Sequence, residues 1–209
     1  GGFFKAKLEN ISLINANITG SNIVGALAGI TSATQITNCY VNGLICGNHS
    51  TGGLVGRTYA SIINSSYSKG IVSGSYLAGG LIGDNNYSKV TNSFSLSNVS
   101  GYERVGGFIG NNSSSDTEVV NCFSAGIVTG TNSTGGFIGL NTDATVLNSY
   151  WDNQTSTQTS SPAGLGRSTN EMTHPYAVNT YEDWDFDIFW TQDTDHSVNN
   201  GYPYLRMYK

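Results

Sequence analysis

Apolar and polar positions along residues 1–150 recur on one fixed period. A Gly-(Gly/Ala)-(Leu/Phe)-(Ala/Val/Ile)-Gly pentamer stands at 25–29, 52–56, 79–83, 106–110 and 135–139, so successive starts are 27, 27, 27 and 29 residues apart. An aromatic ladder keeps the same step at Tyr40, Tyr67, Phe94, Phe123 and Tyr150, with Leu13 in the corresponding earlier place. Four residues before the aromatic come Ile36, Ile63, Val90, Val119 and Val146; five after it come Ile18, Ile45, Val72, Val99 and Val128. The single irregularity is a two-residue insertion within 111–116, Asn-Asn-Ser-Ser-Ser-Asp, whose composition is that of a loop.

Each repeat offers three short β-branched runs, such as 119–123, 126–129 and 135–139, separated by Gly and Asn clusters that supply turns. No 3.6-residue period is sustained. The pattern predicts an all-β chain folded as a parallel β-helix (β-solenoid) with ~27-residue, three-strand coils. Equivalent residues stack at ~4.8 Å, so five to six coils make a rod of roughly 25–30 Å. No coil can bury its apolar side alone; stacking creates the core. After Tyr150-Trp151 the period stops, and the segment becomes dense in Trp184, Phe186, Phe189, Trp190, Tyr202 and Tyr204. Residues 1–150 are therefore read as the solenoid. Residues 151–209 are read as an aromatic-rich C-terminal cap over an open end that would otherwise expose unpaired strands.

The ladders carry structural expectations. The aromatic one reads as an internal stack. Asn38, Asn92, Asn121 and Asn148, with Ser65 and the adjacent Asn64 in the third coil, read as amides bonding from coil to coil. The repeated glycines imply either positive φ or close backbone approach. Leu54-Val55 and Ile71-Val72 cannot both point inward from a flat strand. Either a corner turns both in, which is preferred, or one member forms an exposed stripe such as Val55, Ile82, Ile109 and Ile138.

Composition narrows the chemistry. A net charge of −5 disfavours a nucleic-acid partner, and no apolar run approaches the ~20 residues that cross a bilayer. The chain opens at Gly1-Gly2-Phe3 inside a repeat with no signal peptide, which reads as a fragment or processed form. Its first coil is expected to adjoin a preceding domain or another subunit. Cys39, Cys46 and Cys122 are too far apart or badly placed for disulfides and read as small fillers. Arg57 and Asp84 share a register in adjacent coils and read as an exposed ion pair. Asp116, Asp143 and Asp152 do not converge by spacing, and His49, His174 and His196 are scattered. No catalytic, cofactor-binding or metal-binding set is visible, and the Asp183, Asp185, Asp187 alternation lacks the glycine and distal Glu of a calcium loop. What remains is recognition. Tyr59 and Tyr87 follow successive pentamers, and Tyr76 and Tyr102 precede them; outward tyrosines stack on sugars or anchor a protein partner.

The pentamer Gly52-Gly53-Leu54-Val55-Gly56 and its copies, followed by runs such as Asn92-Ser93-Phe94 and Asn148-Ser149-Tyr150, resemble the GLUG repeat of large bacterial surface and secreted proteins, adhesin-like proteins among them. The ending Tyr150-Trp151-Asp152, Trp184-Asp185-Phe186 and Gly201-Tyr202-Pro203-Tyr204-Leu205 resembles the terminus that follows such repeats. The first coil departs from it, with Ala26 for the second glycine and Leu13 for the aromatic. The resemblance implies a β-helical scaffold outside the cell and names no ligand. The expectation is a non-enzymatic module for adhesion or presentation, binding a glycan or protein surface and needing no cofactor. Rival readings are a filament subunit stacking through its first coil, a polysaccharide-active β-helix enzyme, and a passive stalk.

Overall fold

The computed structural model describes residues 1–206; the last three residues of the expected cap lie outside the described residues. The chain winds as a parallel β-solenoid, but each coil contributes four strands rather than the expected three. One coil shows the pattern. Tyr67–Ser73 belongs to a first sheet, Tyr76–Gly79 to a second, Ile82–Asn86 to a third and Lys89–Thr91 to a fourth. The rungs between coils are parallel and join residues about one coil apart, for example Tyr40↔Tyr67↔Phe94. Two of the runs read as single strands are bent. The run 119–123 turns at Asn121, where φ is 55°, and 135–139 turns at Gly136-Phe137, so each supplies strands to two sheets.

Positive φ recurs at the first of these corners, at Asn10, Asn38, Ser65, Asn92, Asn121 and Asn148. Asn is the non-glycine residue that best tolerates the left-handed region. Its amides form only a broken ladder: Asn38 donates to Asn10 and Asn92 donates to Asn64, while the Asn92 and Asn121 side-chain oxygens have no partner. The continuous amide ladder lies in the third sheet. Thr58 donates to Asn85, Asn85 to Asn112, and Asn112 to Asn141, over 2.6–2.8 Å.

The register corrects one alignment. Leu13 pairs with Val41, and Ser12 is the partner of Tyr40, because the first coil carries one extra residue at Asn15 before the pairing shifts at Ala16. The two-residue insertion sits between Ser113 and Glu118, outside both flanking strands.

Ile36, Ile63, Val90 and Val119 fill the core together with Leu54, Val55, Leu81, Ile82, Phe108, Ile109, Phe137 and Ile138. Leu54 and Val55 are both fully buried, so the corner between the second and third sheets does turn both inward. The alternative stripe of Val55, Ile82, Ile109 and Ile138 is overturned by the same burial. Ile71-Val72 behaves differently: Val72 is buried and Ile71 is 50% exposed, as alternation in a straight strand requires.

Glycine explains how the second and third sheets meet. A Cβ built on the first glycine of a pentamer would strike the backbone of the last glycine one coil on: Gly52 would stand 2.7 Å from the Gly83 nitrogen, Gly79 2.6 Å from that of Gly110, and Gly106 2.7 Å from that of Gly139. The contact is reciprocal, since a Cβ on Gly83 would lie 2.6 Å from the Thr51 nitrogen and 2.8 Å from the Leu77 oxygen. None of these glycines has positive φ. Close approach, not backbone freedom, fixes them.

The aromatic ladder is not inside. Tyr40, Tyr67 and Phe94 stand on the outer side of the first sheet, because the inward positions beside them are Val41, Ser68 and Ser95. No ring fits inward there. A Cβ on Gly53 would already lie 2.8 Å from the Ser68 Cβ, and Ser68 and Ser124 donate to the Gly80 and Gly136 carbonyls at 2.6 and 2.9 Å. Trp151 ends that small-residue column. It is the rung partner of Ser124, and its ring fills the space against Gly136. Beyond it, Ser161 accepts from the Phe137 and Ile138 N–H groups, the Ser160 carbonyl from Gly136, and Leu165–Arg167 adds a last parallel rung. Residues 151–167 thus finish the rim. The aromatic-rich stretch after them runs along the side of the solenoid rather than over its end.

Because the pentamer glycines face backbone, Gly83→Ala is expected to destabilise the chain by about 3 kcal/mol, whereas Ile71→Thr, half exposed, should stay within about 1 kcal/mol. Urea unfolding followed by circular dichroism compares them; equal midpoints would show that the two sheets can part to admit a methyl group.

Candidate functional site

The buried acidic side chains Asp84, Asp152 and Asp193 are engaged in holding the fold. Asp84 is not part of an exposed pair. Its side chain is 10% exposed, Arg57 Nε donates to it at 2.9 Å, and Asn111 donates to its other oxygen at 2.8 Å. The neighbouring sheet partners explain the burial, because Arg57, Asp84 and Asn111 are consecutive rungs of the third sheet. Asp152 is buried and accepts from the Gln154 and Thr155 N–H groups and from the Tyr202 hydroxyl. Asp193, also buried, accepts from the Val198, Asn199 and Gly201 N–H groups and so closes its own loop. Ser168 precedes the single helical turn Thr169–Met172, and its N–H and hydroxyl hold the Glu171 carboxyl below its ordinary range. The cysteines are free thiols; burial pushes the Cys39 and Cys122 thiols up and keeps them protonated. Among the described residues no group of three His, Cys, Asp or Glu side chains could hold a metal ion.

The outer face of the first sheet is divided lengthwise. One half carries the aromatic column, whose rings stack at 4.8, 4.6 and 5.0 Å from Tyr40 to Phe123. The C-terminal stretch covers it. Met172, Tyr181, Trp184, Trp190, Tyr202 and Leu205 bury against Tyr67, Phe94, Phe123 and Tyr150. Polar ends are satisfied at the margin, where Trp184 Nε1 donates to the Asn148 carbonyl and the Glu182 N–H donates to the Tyr150 hydroxyl. Burial raises the Tyr150, Tyr181 and Tyr202 hydroxyls and pushes Tyr176 up to about 12.

The other half of that face is bare. Leu44 and Ile71 are exposed consecutive rungs, Asn98 follows them, and the exposed Ile127 bonds through its N–H to the Asn98 side chain. Beside this stripe runs the column Cys46, Ser73, Ser100 and Thr129. At the next corner is a shallow groove of about 260 Å³ lined by Gly47, Ser73, Gly74, Ser75, Ser100, Gly101 and Tyr102. Tyr76 and Tyr102 stand there edge to face at 6.3 Å, with His49 6.0 Å from Tyr76. Tyr59 and Tyr87 meet at 5.2 Å, but at the corner between the third and fourth sheets. The four tyrosines therefore form two separate exposed pairs, one with a groove beside it. Sequence reasoning missed His49 and the Leu44, Ile71, Ile127 stripe. Fixing Val72 inward would have placed Ile71 outside.

A second concavity, about 330 Å³, lies where the C-terminal stretch meets the corner of the fourth sheet. It is lined by Thr37, Asn38, Asn64 and Ser65 on one side and by Ile188, Phe189, Leu205 and Arg206 on the other.

No family model matches the chain, and no curated protein sequence matches it. Among solved structures, the chain is similar to a proposed immunoglobulin A1 protease from Bacteroides ovatus, with 20% identity and a TM-score of 0.58 over 97% of this chain. The chain spans 58% of that protein's length. At this identity the likeness is one of fold.

The buried tyrosines give the covered face a pH dependence. Unfolded tyrosines ionise near about 10, below the raised values held in the folded chain, so this packing is fully stabilising under about pH 10 and is lost as pH climbs through about 12 and beyond. Tryptophan fluorescence against pH should move to longer wavelength only in that range; a shift already complete by about pH 11 would mean that the hydroxyls ionise as solvated ones do, at about 10.

Proposed function

We propose that the chain is a non-catalytic β-solenoid module of a bacterial cell-surface or secreted protein, presenting a recognition face for a glycan or protein ligand. The single observation that carries this reading is the bare half of the first sheet. An exposed apolar stripe and a row of small hydroxyls lead into a groove walled by Tyr102, with Tyr76 and His49 close by. Small polar floors with aromatic walls suit sugar rings, whose faces are apolar and whose edges are hydroxyls. The engagement of Asp84, Asp152 and Asp193 in structural hydrogen bonds supports a non-catalytic role. The resemblance of the pentamers to the GLUG repeat supports a place outside the cell, and the net charge of −5 argues against nucleic acid as the ligand. No helix among the described residues is long and apolar enough to cross a membrane.

A second reading is favoured by one observation. The strands Gly2–Phe4, Lys7–Glu9, Ser12–Thr19 and Ile23–Gly25 each pair on one side only, at the end of their sheets. Such an edge accepts further strands, which fits a preceding segment or another subunit and would allow filament growth. The name of the Bacteroides ovatus protein keeps an enzymatic reading in play.

Retention of the purified chain on soluble and insoluble polysaccharides, with released sugar assayed in the same wells, tests the proposal. Retention without release, reduced about tenfold or more by Tyr76→Ala with Tyr102→Ala and not by Tyr59→Ala with Tyr87→Ala, is the expected outcome. Released sugar would overturn the non-catalytic reading. Equal loss from both pairs would overturn the placement of the face.

A further inference from the structure

We propose that the concavity between the fourth-sheet corner and the C-terminal stretch is a second binding site, specific for a sugar ring that carries a carboxylate. Its two walls differ in kind. Ile188, Phe189 and Leu205 give one apolar wall, while Thr37, Asn38, Asn64 and Ser65 give a polar wall from two adjacent coils. A pyranose offers the same division, an apolar face of C–H groups and an edge of hydroxyls. The volume of about 330 Å³ falls at the small end of ligand sites and suits one or two such rings.

The hydrogen-bonding capacity left over points to an anion. Asn64 accepts from Thr91 and Asn92 through its side-chain oxygen, which leaves its amide N–H groups as donors. Asn38 spends one amide N–H on Asn10 and keeps its oxygen. The Thr37 and Ser65 hydroxyls add donors at the same wall. Arg206 brings the charge. One terminal nitrogen donates to the Phe186 carbonyl at 2.6 Å, its backbone N–H to the Phe189 carbonyl at 3.0 Å, and among the described residues it joins no ion pair. The remaining guanidinium N–H groups form the fork that matches a carboxylate. Among the described residues no acidic one lines the cavity. Of the acids just before Ile188 in sequence, Asp185 already accepts from the Asp187 and Ile188 N–H groups, and Asp187 is not among the lining residues. A neutral sugar would leave the guanidinium unanswered, and a phosphate would not use the apolar wall.

This site is separate from the Tyr76–Tyr102 groove, so it stands or falls independently of that reading. The full chain would be titrated by NMR with sodium glucuronate and sodium N-acetylneuraminate, and with glucose as the neutral counterpart. We expect an acidic sugar to bind with a Kd of roughly 0.1–10 mM, with glucose at least about tenfold weaker. Arg206→Gln should weaken the acidic sugar about tenfold or more, and Thr37→Val, on the wall facing the C-terminal stretch, severalfold. Tyr76→Ala with Tyr102→Ala should leave this binding unchanged. Equal affinity for glucose, unaltered affinity in Arg206→Gln, or no binding of either acidic sugar at about 10 mM would each overturn the proposal. Which of the two acidic sugars binds separates a uronate from a sialate as the source of the carboxylate.

Discussion

The fold depends on one contact, the meeting of bare backbone between the second and third sheets. A coil of 27 residues that places Leu54 and Val55 together inside must double back tightly just before and just after them. It does so because Gly52 and Gly83, Gly79 and Gly110, and Gly106 and Gly139 present no side chain where the sheets touch. That proximity leaves no width for bulky residues on one inner wall. The first sheet consequently turns Ser68, Ser95 and Ser124 inward and its aromatic rings outward.

An outward aromatic column creates a demand of its own. Rings from Tyr67 to Tyr150 would expose a continuous apolar strip, a liability for a single chain. The C-terminal stretch meets it with Trp184, Trp190 and Tyr202 and anchors its margin by hydrogen bonds to Asn148 and Asp152. The chain thus has two apolar centres rather than one, a thin core within the coils and a thicker aromatic layer on their flank. Both proposed binding surfaces lie at the borders of that layer. One is the half of the sheet it leaves uncovered, and the other is the seam where its edge meets the fourth-sheet corner.

The periodicity made much of this legible. Stacked parallel strands, the 27-residue step, the inward pairing of Leu54 with Val55 and the loop character of the insertion all follow from residue spacing. The side of the aromatic ladder did not, because a stack of rings every 27 residues reads the same inside or outside. What decides it is the small inward neighbour, Ser68 or Ser95, together with the glycine opposite, and those meet only in three dimensions. The number of strands per coil was obscured for a related reason: Asn121 and Gly136 sit within β-branched runs and bend them without breaking their composition. Among the candidate site residues, the tyrosines could be named but not paired, since Tyr59 and Tyr76 flank successive pentamers yet face different corners. Arg206 and Asn64 were beyond reach altogether, being joined only by the fold.

Trp151 has a bearing on how such molecules vary in length. By taking a position that the three preceding coils give to serine, it writes a full stop that does not depend on how many coils come before it. Coils are interchangeable units of ~4.8 Å each, so duplication or loss of a unit upstream would change the height at which the flank is displayed while leaving the terminus and its aromatic cladding intact. The architecture is in that sense a ruler with a fixed end, on which reach is inherited separately from what is held out.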